Sequence, residues 1–314
     1  MKAAFLTSYG KPGSLQYGAL PEPDLRKDHL LVRVKAVSVN PVDWKIRQGV
    51  LRLLLGSRFP MIIGSDFAGV VKEVAPGIHE FKPGDKVYGV IPAFSNKSGA
   101  LAEIAHVRQK DARAMPEWLS FEEAASLPIA ALTATNGLRR CGVKTGSKLL
   151  VNGATGGVGH FAVQAAKAKG AHVTATCSAG NAELARELGA DEVYGYSGEN
   201  TIPAGTQFDA ILDAWGMMER KKIPQLLVPG GSYASPLLIP WTKIQALIAR
   251  IRYGRKFTSS NMRKRPEDYD ELEALIRQKN LKPVIEHTFP LEKAAEAFDK
   301  AEFGKPRGKV IILV

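Results

Sequence analysis

The sequence predicts an α/β chain in two parts: a β-rich stretch over residues 1 to about 115, then a doubly wound parallel sheet in which strands alternate with helices. Three observations predict this. Residues 29–40 set Leu30, Val32, Val34 and Ala36 against Leu31, Arg33, Lys35 and Val37, the period-two pattern of a strand with a buried face. Residues 148–152 are an apolar strand that enters a glycine-rich turn at 153–159, and a helical run to 169 and a second apolar strand at 172–177 follow. From there to the end, strand and helix signals keep alternating, which implies parallel strands joined by right-handed crossovers.

The elements follow in order. Residues 67–74 form a strand stopped by Ala75-Pro76-Gly77, and the turn Lys82-Pro83-Gly84-Asp85 leads into a strand at 86–90. After the strand at 172–177, residues 181–188 read as a helix closed by Gly189, with a short strand at 192–194 and another at 208–213. Residues 225–228 run into a Gly230-Gly231 turn, and a strand is expected at 232–234. Ile244, Leu247, Ile248 and Ile251 share one side of a helix over 241–253. Residues 266–278 open with proline and acids and read as a helix, 291–303 as another, and 309–314 as a final strand.

Composition is that of a globular protein, with 45% hydrophobic and 24% charged residues. Two cysteines, Cys141 and Cys177, cannot build a disulfide framework or a four-cysteine zinc lobe, which points to a reducing compartment. Residues 1–6 lack an apolar run of signal-peptide length, and the long uncharged stretch 223–242 is broken by Pro224, Pro229, Pro236 and Pro240. The expected location is the cytoplasm. Net charge is +12, and eleven basic residues with no acid fall within 220–266, so the rest of the chain nets +1 (12 − 11). That segment has three open readings. It is a solvated surface that steers anionic ligands, a peripheral membrane contact through the 241–253 helix, or a nucleic-acid surface, for which no RNA or DNA motif is present.

Strand, glycine turn, helix and strand in that order hold a dinucleotide's pyrophosphate on a helix N-terminus. The fingerprint here is Ala154-x-Gly156-x-x-Gly159, with Ala154, Thr155, Gly156, Gly157 and Val158 as the phosphate-facing candidates. Gly156 lets the main chain approach the pyrophosphate, and Gly159 lets the helix pack close to the strand; a plain strand-to-helix turn is the alternative. The second strand ends in Thr176-Cys177-Ser178-Ala179-Gly180-Asn181, with no acid before Glu183 to hold a ribose 2′-hydroxyl. Cys177, Ser178 and Asn181 therefore line a site that admits a 2′-phosphate, and NADP(H) is the expected cofactor.

The chain resembles the zinc-free quinone oxidoreductase branch of the medium-chain dehydrogenase/reductase superfamily. The resemblance is carried by residues 38–46, Gly64-Ser65-Asp66-Phe67-Ala68-Gly69, Gly84-Asp85-Lys86-Val87, residues 121–128, Leu132-Thr133-Ala134, Gly156-Gly157-Val158-Gly159-His160 and Gly308-Lys309-Val310. It implies a GroES-like catalytic domain over 1–117 completed by 281–314, a Rossmann NADP(H)-binding domain over 118–280, an active site in the cleft between them and a homodimer. It also implies that Asn40 and Thr133 lie near the nicotinamide, that Trp44 walls the cleft and that Tyr196 reaches the 2′-phosphate. Zinc-dependent relatives ligate the metal through a cysteine near the position of Asn40 and a histidine at that of Ser65, so no metal is expected here.

Without a metal, the acceptor must already be electron-poor: a quinone or an α,β-unsaturated carbonyl such as an enone or alkenal. The protein would orient the reactants and offer hydrogen bonds to the oxygen that gains charge. Each candidate has a plainer reading too. Asn-Pro starts turns, Asp43 caps helices, Thr133 can bond its own helix, and Tyr196 can be a loop aromatic. Relatives that reduce enoyl thioesters carry a tyrosine proton donor after the glycine matching Gly49, whereas Val50 and Leu51 follow here. The rival readings are a zinc-free reductase or dehydrogenase of another carbonyl, and a non-catalytic dinucleotide-binding protein acting through its basic surface.

Overall fold

The computed structural model describes residues 1–92, 99–219, 221–236, 254–262 and 266–314. The helix expected over 241–253 lies outside these residues, as do Arg220, Lys243, Arg250, Arg252, Arg263, Lys264 and Arg265 of the basic segment. Two compact units form, one from Met1–Ile129 with Ile285–Val314 and the other from Ala130–Val284.

The first unit is β-rich. Its strands are β1 (Lys2–Leu6), β2 (Leu15–Ala19), β3 (His29–Ser38), β4 (Met61–Ile62), β5 (Asp66–Val74), β6 (Lys86–Val90), β7 (Ile104–Arg108) and β8 (Ala112–Ala114), with β15 (Ile285–Pro290) and β16 (Lys309–Leu313) from the chain end. A small sheet runs β2-β1-β4, and a larger one β15-β16-β3-β5-β6-β8 with β7 also on β3. Val32, Val34, Phe67, Val71, Val87, Val310 and Ile312 alternate inward from these strands into one core. The helix Phe121–Ser126 packs on β3 and β5 and carries this unit to Ile129. It starts in a capping box: Ser120 Oγ accepts from Glu123 N–H at 3.2 Å, and Ser120 N–H donates to Glu123 Oε2 at 2.9 Å.

Among the described residues, the second unit has six parallel strands, β9 (Lys148–Asn152), β10 (His172–Cys177), β11 (Glu192–Gly195), β12 (Phe208–Asp213), β13 (Leu227–Ser235) and β14 (Lys256–Ser259), in the order β11-β10-β9-β12-β13-β14. Counted from β9 this is 3-2-1-4-5-6, the Rossmann order. Leu149, Leu150 and Val151 are all buried because β9 is central and covered on both faces. Strand β13 departs from expectation: it begins before the Gly230-Gly231 pair and continues through it. Its partners jump from Phe208↔Leu227 to Ala210↔Ser232, so the intervening residues bulge out, with Gly230 at φ +81. A side chain at Gly231 would come within 2.9 Å of Val228 O, which explains why glycine carries the bulge.

Candidate active site

Strand order reverses at the β9/β12 pair, and in open parallel sheets ligands bind at the carboxyl end of that switch point. The residues there are local consequences of the glycine turn. Gly153, at φ +79, turns the chain out of β9, and the Gly153 and Ala154 amides donate to Thr176 O at 3.1 and 3.0 Å. Gly156 N–H closes on Gly153 O at 3.1 Å, and His160 N–H on Gly156 O at 3.1 Å, which starts the helix Gly159–Ala168. The amides ahead of that first helical bond point out of the helix N-terminus with the positive end of its dipole.

The two fingerprint glycines do different work. A Cβ on Gly159 would overlap the Gly153 carbonyl oxygen and lie 2.8 Å from Ala154 Cα. Helix and strand therefore pack too closely for any side chain there. A Cβ on Gly156 would meet only Gly153 O, at an ordinary 3.5 Å. The chain's own packing does not demand glycine at 156, whereas a phosphate lying against the main chain does. The turn thus fits a dinucleotide by its open side.

The other candidates of this unit gather at the neighbouring strand ends. Asn181 Nδ2 donates to Thr155 Oγ1 at 3.2 Å and ties the loop after β10 to the glycine turn. Cys177 is buried at the strand end, and burial raises its thiol. Ser178 is exposed beside it. Tyr196 is half-exposed, with its ring centroid 5.4 Å from that of Trp215. Burial, then Cys177 and Asp213, pushes the Tyr196 hydroxyl up to about 12. Thr133, in the helix Pro128–Cys141, is buried; the hydroxyl that bonds back into that helix is that of Thr135, to Ala131 O at 3.1 Å.

Sequence reasoning missed the group that holds these strand ends in place. Buried Asp213, the last residue of β12, accepts four hydrogen bonds among the described residues, from Asn152 Nδ2 (2.7 Å), Gly216 N–H (2.9 Å), Met218 N–H (3.0 Å) and the Tyr233 hydroxyl (2.9 Å). Asn152 Oδ1 in turn accepts from Thr176 Oγ1 at 2.7 Å. One carboxylate thus clamps β9, β10, β12 and β13 at their carboxyl ends. Trp215 follows it, half-exposed, and its Cβ lies 3.0 Å from where a side chain on Gly153 would begin. An acid ending an apolar strand next to Trp215-Gly216 was the available signal.

Asn40 and Trp44 belong to the first unit. The helix Pro41–Arg47 starts three residues before the Trp44 start expected of a helix capped by Asp43: Asn40 is its N-cap, and Asp43, in the first turn, accepts the Asn40 backbone N–H at Oδ2 at 2.8 Å. Both Asn40 amide hydrogens are engaged, with Ser38 O at 3.0 Å and Asp66 Oδ2 at 2.8 Å, and its carbonyl accepts from Lys309 Nζ at 2.6 Å. Its side chain faces inward in full. Burial lifts the Asp43 carboxyl to about 6, against the pull of the Ser65 hydroxyl, which it accepts at 2.7 Å. Burial also raises Asp66 and lowers Lys309. Trp44 is partly buried against the apolar core. Among the described residues, no group of three or more His, Cys, Asp or Glu is placed to hold a metal ion.

Comparison with known proteins bears on both units. Residues 26–117 match the alcohol dehydrogenase GroES-like domain family and residues 188–312 the zinc-binding dehydrogenase family. The chain is 35% identical to the chloroplast envelope quinone oxidoreductase homolog of Arabidopsis thaliana, over 99% of this chain and 98% of that one. The chain belongs to the medium-chain dehydrogenase/reductase superfamily. Within that superfamily it is an oxidoreductase related to quinone oxidoreductase homologues. It is 34% identical to the 2-methylene-furan-3-one reductase of Solanum lycopersicum, covering 99% of this chain and 79% of that one. The quinone oxidoreductase structure from Coxiella burnetii superposes with a TM-score of 0.91 at 32% identity, over 100% of this chain and 99% of that one. The GroES-like and Rossmann halves of this medium-chain oxidoreductase are therefore those described above, and a nicotinamide dinucleotide is the cofactor its glycine turn fits. Of the basic segment, Arg255 donates to Leu227 O at 2.7 Å, Lys256 Nζ to Arg140 O at 3.0 Å, and Lys222 pairs with Glu219 at 2.9 Å.

Proposed function

We propose that this oxidoreductase is a zinc-independent, NADPH-dependent reductase of quinones or α,β-unsaturated carbonyls. The observation that carries the reading is the glycine pair, with Gly159 demanded by helix packing and Gly156 open toward a ligand. The relatives named for quinone and enone chemistry support the substrate class. Support for NADPH comes from the loop after β10, where Ser178 and Asn181 stand without an acid.

NADPH, when bound, supplies a hydride. The residues do the rest. Main-chain amides at the start of the helix Gly159–Ala168 would hold the pyrophosphate, with the strand ends kept rigid by Asp213, and Asn181 and Tyr196 would supply donors for the 2′-phosphate. Hydride addition at the carbon β to a carbonyl moves negative charge onto its oxygen, which hydrogen-bond donors stabilise. Asn40, turned inward, shapes the turn that presents Trp44 and leaves the donor role to other groups, with the Thr133 hydroxyl the candidate. Val50, exposed, and Leu51 bring no proton donor after Gly49, which favours water or a solvent-derived acid as the proton source.

The test is NADPH oxidation with phenanthrenequinone, short alkenals and enones, run beside NADH and repeated after dialysis against a chelator. Turnover that favours NADPH and survives the chelator is expected. Bound NADPH with no turnover on any acceptor would sink the reductase reading, and activity restored only by zinc would sink its metal independence.

A further inference from the structure

The first unit holds a buried charge cluster whose cation has no part in the reaction described above. Lys309, the first residue of β16, is buried, and its ammonium donates to Asn40 Oδ1 at 2.6 Å and to Val39 O at 3.4 Å. Asn40 Nδ2 donates to Asp66 Oδ2 at 2.8 Å, and Asp66 Oδ1 accepts Ile129 N–H at 3.1 Å. Asp43 accepts from Asn40 N–H and from Ser65, as described. Asn40, Asp43, Ser65 and Asp66 are all buried. The Asn40 amide thus sits between a cation and an anion, with its carbonyl to the ammonium and its NH2 to the carboxylate. Reversed, it would aim an NH2 at the ammonium and an oxygen at the carboxylate. The two charges and the Ser38 carbonyl, which accepts the second Nδ2 hydrogen, set its orientation together.

Two carboxylates in a dry interior need a positive partner. The charged groups that face one another here are Asp43 from the helix Pro41–Arg47, Asp66 from β5 and Lys309 from β16. We propose that Lys309 is the resident cation of a buried, oxygen-lined site, and that it is the positioning residue that fixes the Asn40 side chain and the turn into the helix that follows. The tethered ammonium fills the place a free cation would take, and the last strand of the chain is locked to the end of β3.

The experiment compares the full-length wild type with Lys309→Met, Lys309→Ala and Lys309→Met combined with Asp66→Asn. Both single variants should melt on the order of 10 °C below wild type at about pH 8, since breaking a buried pair leaves an uncompensated charge. The gap should narrow toward about pH 5, where the orphaned carboxylates take up protons. Adding Asp66→Asn should recover most of the loss. Propylammonium chloride should raise the melting temperature of Lys309→Ala and leave wild type unchanged, while sodium chloride at equal ionic strength should not. The Asn40 side-chain NH2 protons, protected in wild type, should exchange faster with water in Lys309→Met. Lys309→Met melting with wild type at about pH 8, unchanged Asn40 protection, or equal responses of Lys309→Ala to the two salts would each overturn the proposal. Should Lys309→Ala not fold, Lys309→Met and the double variant decide.

Discussion

Adding one methyl at either fingerprint glycine separates folding from binding. At Gly159 the new Cβ would overlap the Gly153 carbonyl oxygen and crowd Ala154, all of it main chain that cannot rotate away. The helix Gly159–Ala168 must then shift from β9 by about 1 Å, an overpacking cost of about 3 kcal/mol, or roughly 6–12 °C in Tm for a unit of this size. At Gly156 the nearest atom is 3.5 Å away and φ lies outside the left-handed region, so Gly156→Ala should change stability by no more than about 0.5 kcal/mol. The same methyl holds a pyrophosphate off the main chain and weakens charge-assisted hydrogen bonds worth about 1.5–3 kcal/mol, which is roughly 10- to 100-fold in Kd. Thermal unfolding and NADPH titration by calorimetry read the two effects. The reasoning is refuted if Gly156→Ala binds NADPH like wild type, or if its Tm falls as far as that of Gly159→Ala.

Three further outcomes are expected. Asp213→Ala orphans four donors at the ends of β9, β12 and β13, and should lower unfolding free energy in urea by roughly 3–5 kcal/mol; a loss under about 1 kcal/mol would mean the clamp is not structural. Asp43 is raised from 3.8 to about 6, so its contribution to stability is complete below the ordinary value and is lost as pH climbs through the folded one. Wild type should therefore lose about 3 kcal/mol between about pH 4 and 6 from this group, and Asp43→Asn should flatten that slope in denaturant titrations. Tyr196→Phe should weaken NADPH roughly 10-fold and leave NADH unchanged, measured by quenching of tryptophan fluorescence; equal loss for both nucleotides would remove the tyrosine from the 2′-phosphate.

The strand-turn-helix at 148–169 was legible because each step has a local signature: an apolar run, glycines at set offsets, then helical periodicity. The same local reading placed a turn at Gly230-Gly231 and started a strand only after it. The structure carries β13 through that pair, because pairing with β12 absorbs the extra residues as a bulge. Asn40 shows the opposite limit. Its amide invites a ligand role on paper, yet its hydrogens are taken by Ser38 O and Asp66. Nothing adjacent to Asn40 in sequence reveals that.

By itself the sequence determined the Rossmann crossover, the β-rich first part and the superfamily, since these rest on periodicity and on glycines whose reasons lie within a few residues. Only the tertiary structure decided where the buried charges meet. Lys309 reaches Asn40 across 269 residues, and Asp213 reaches Asn152 across 61. A charge is tolerated in the interior only when a partner is brought to it, and which partner arrives is a property of how the strands assemble.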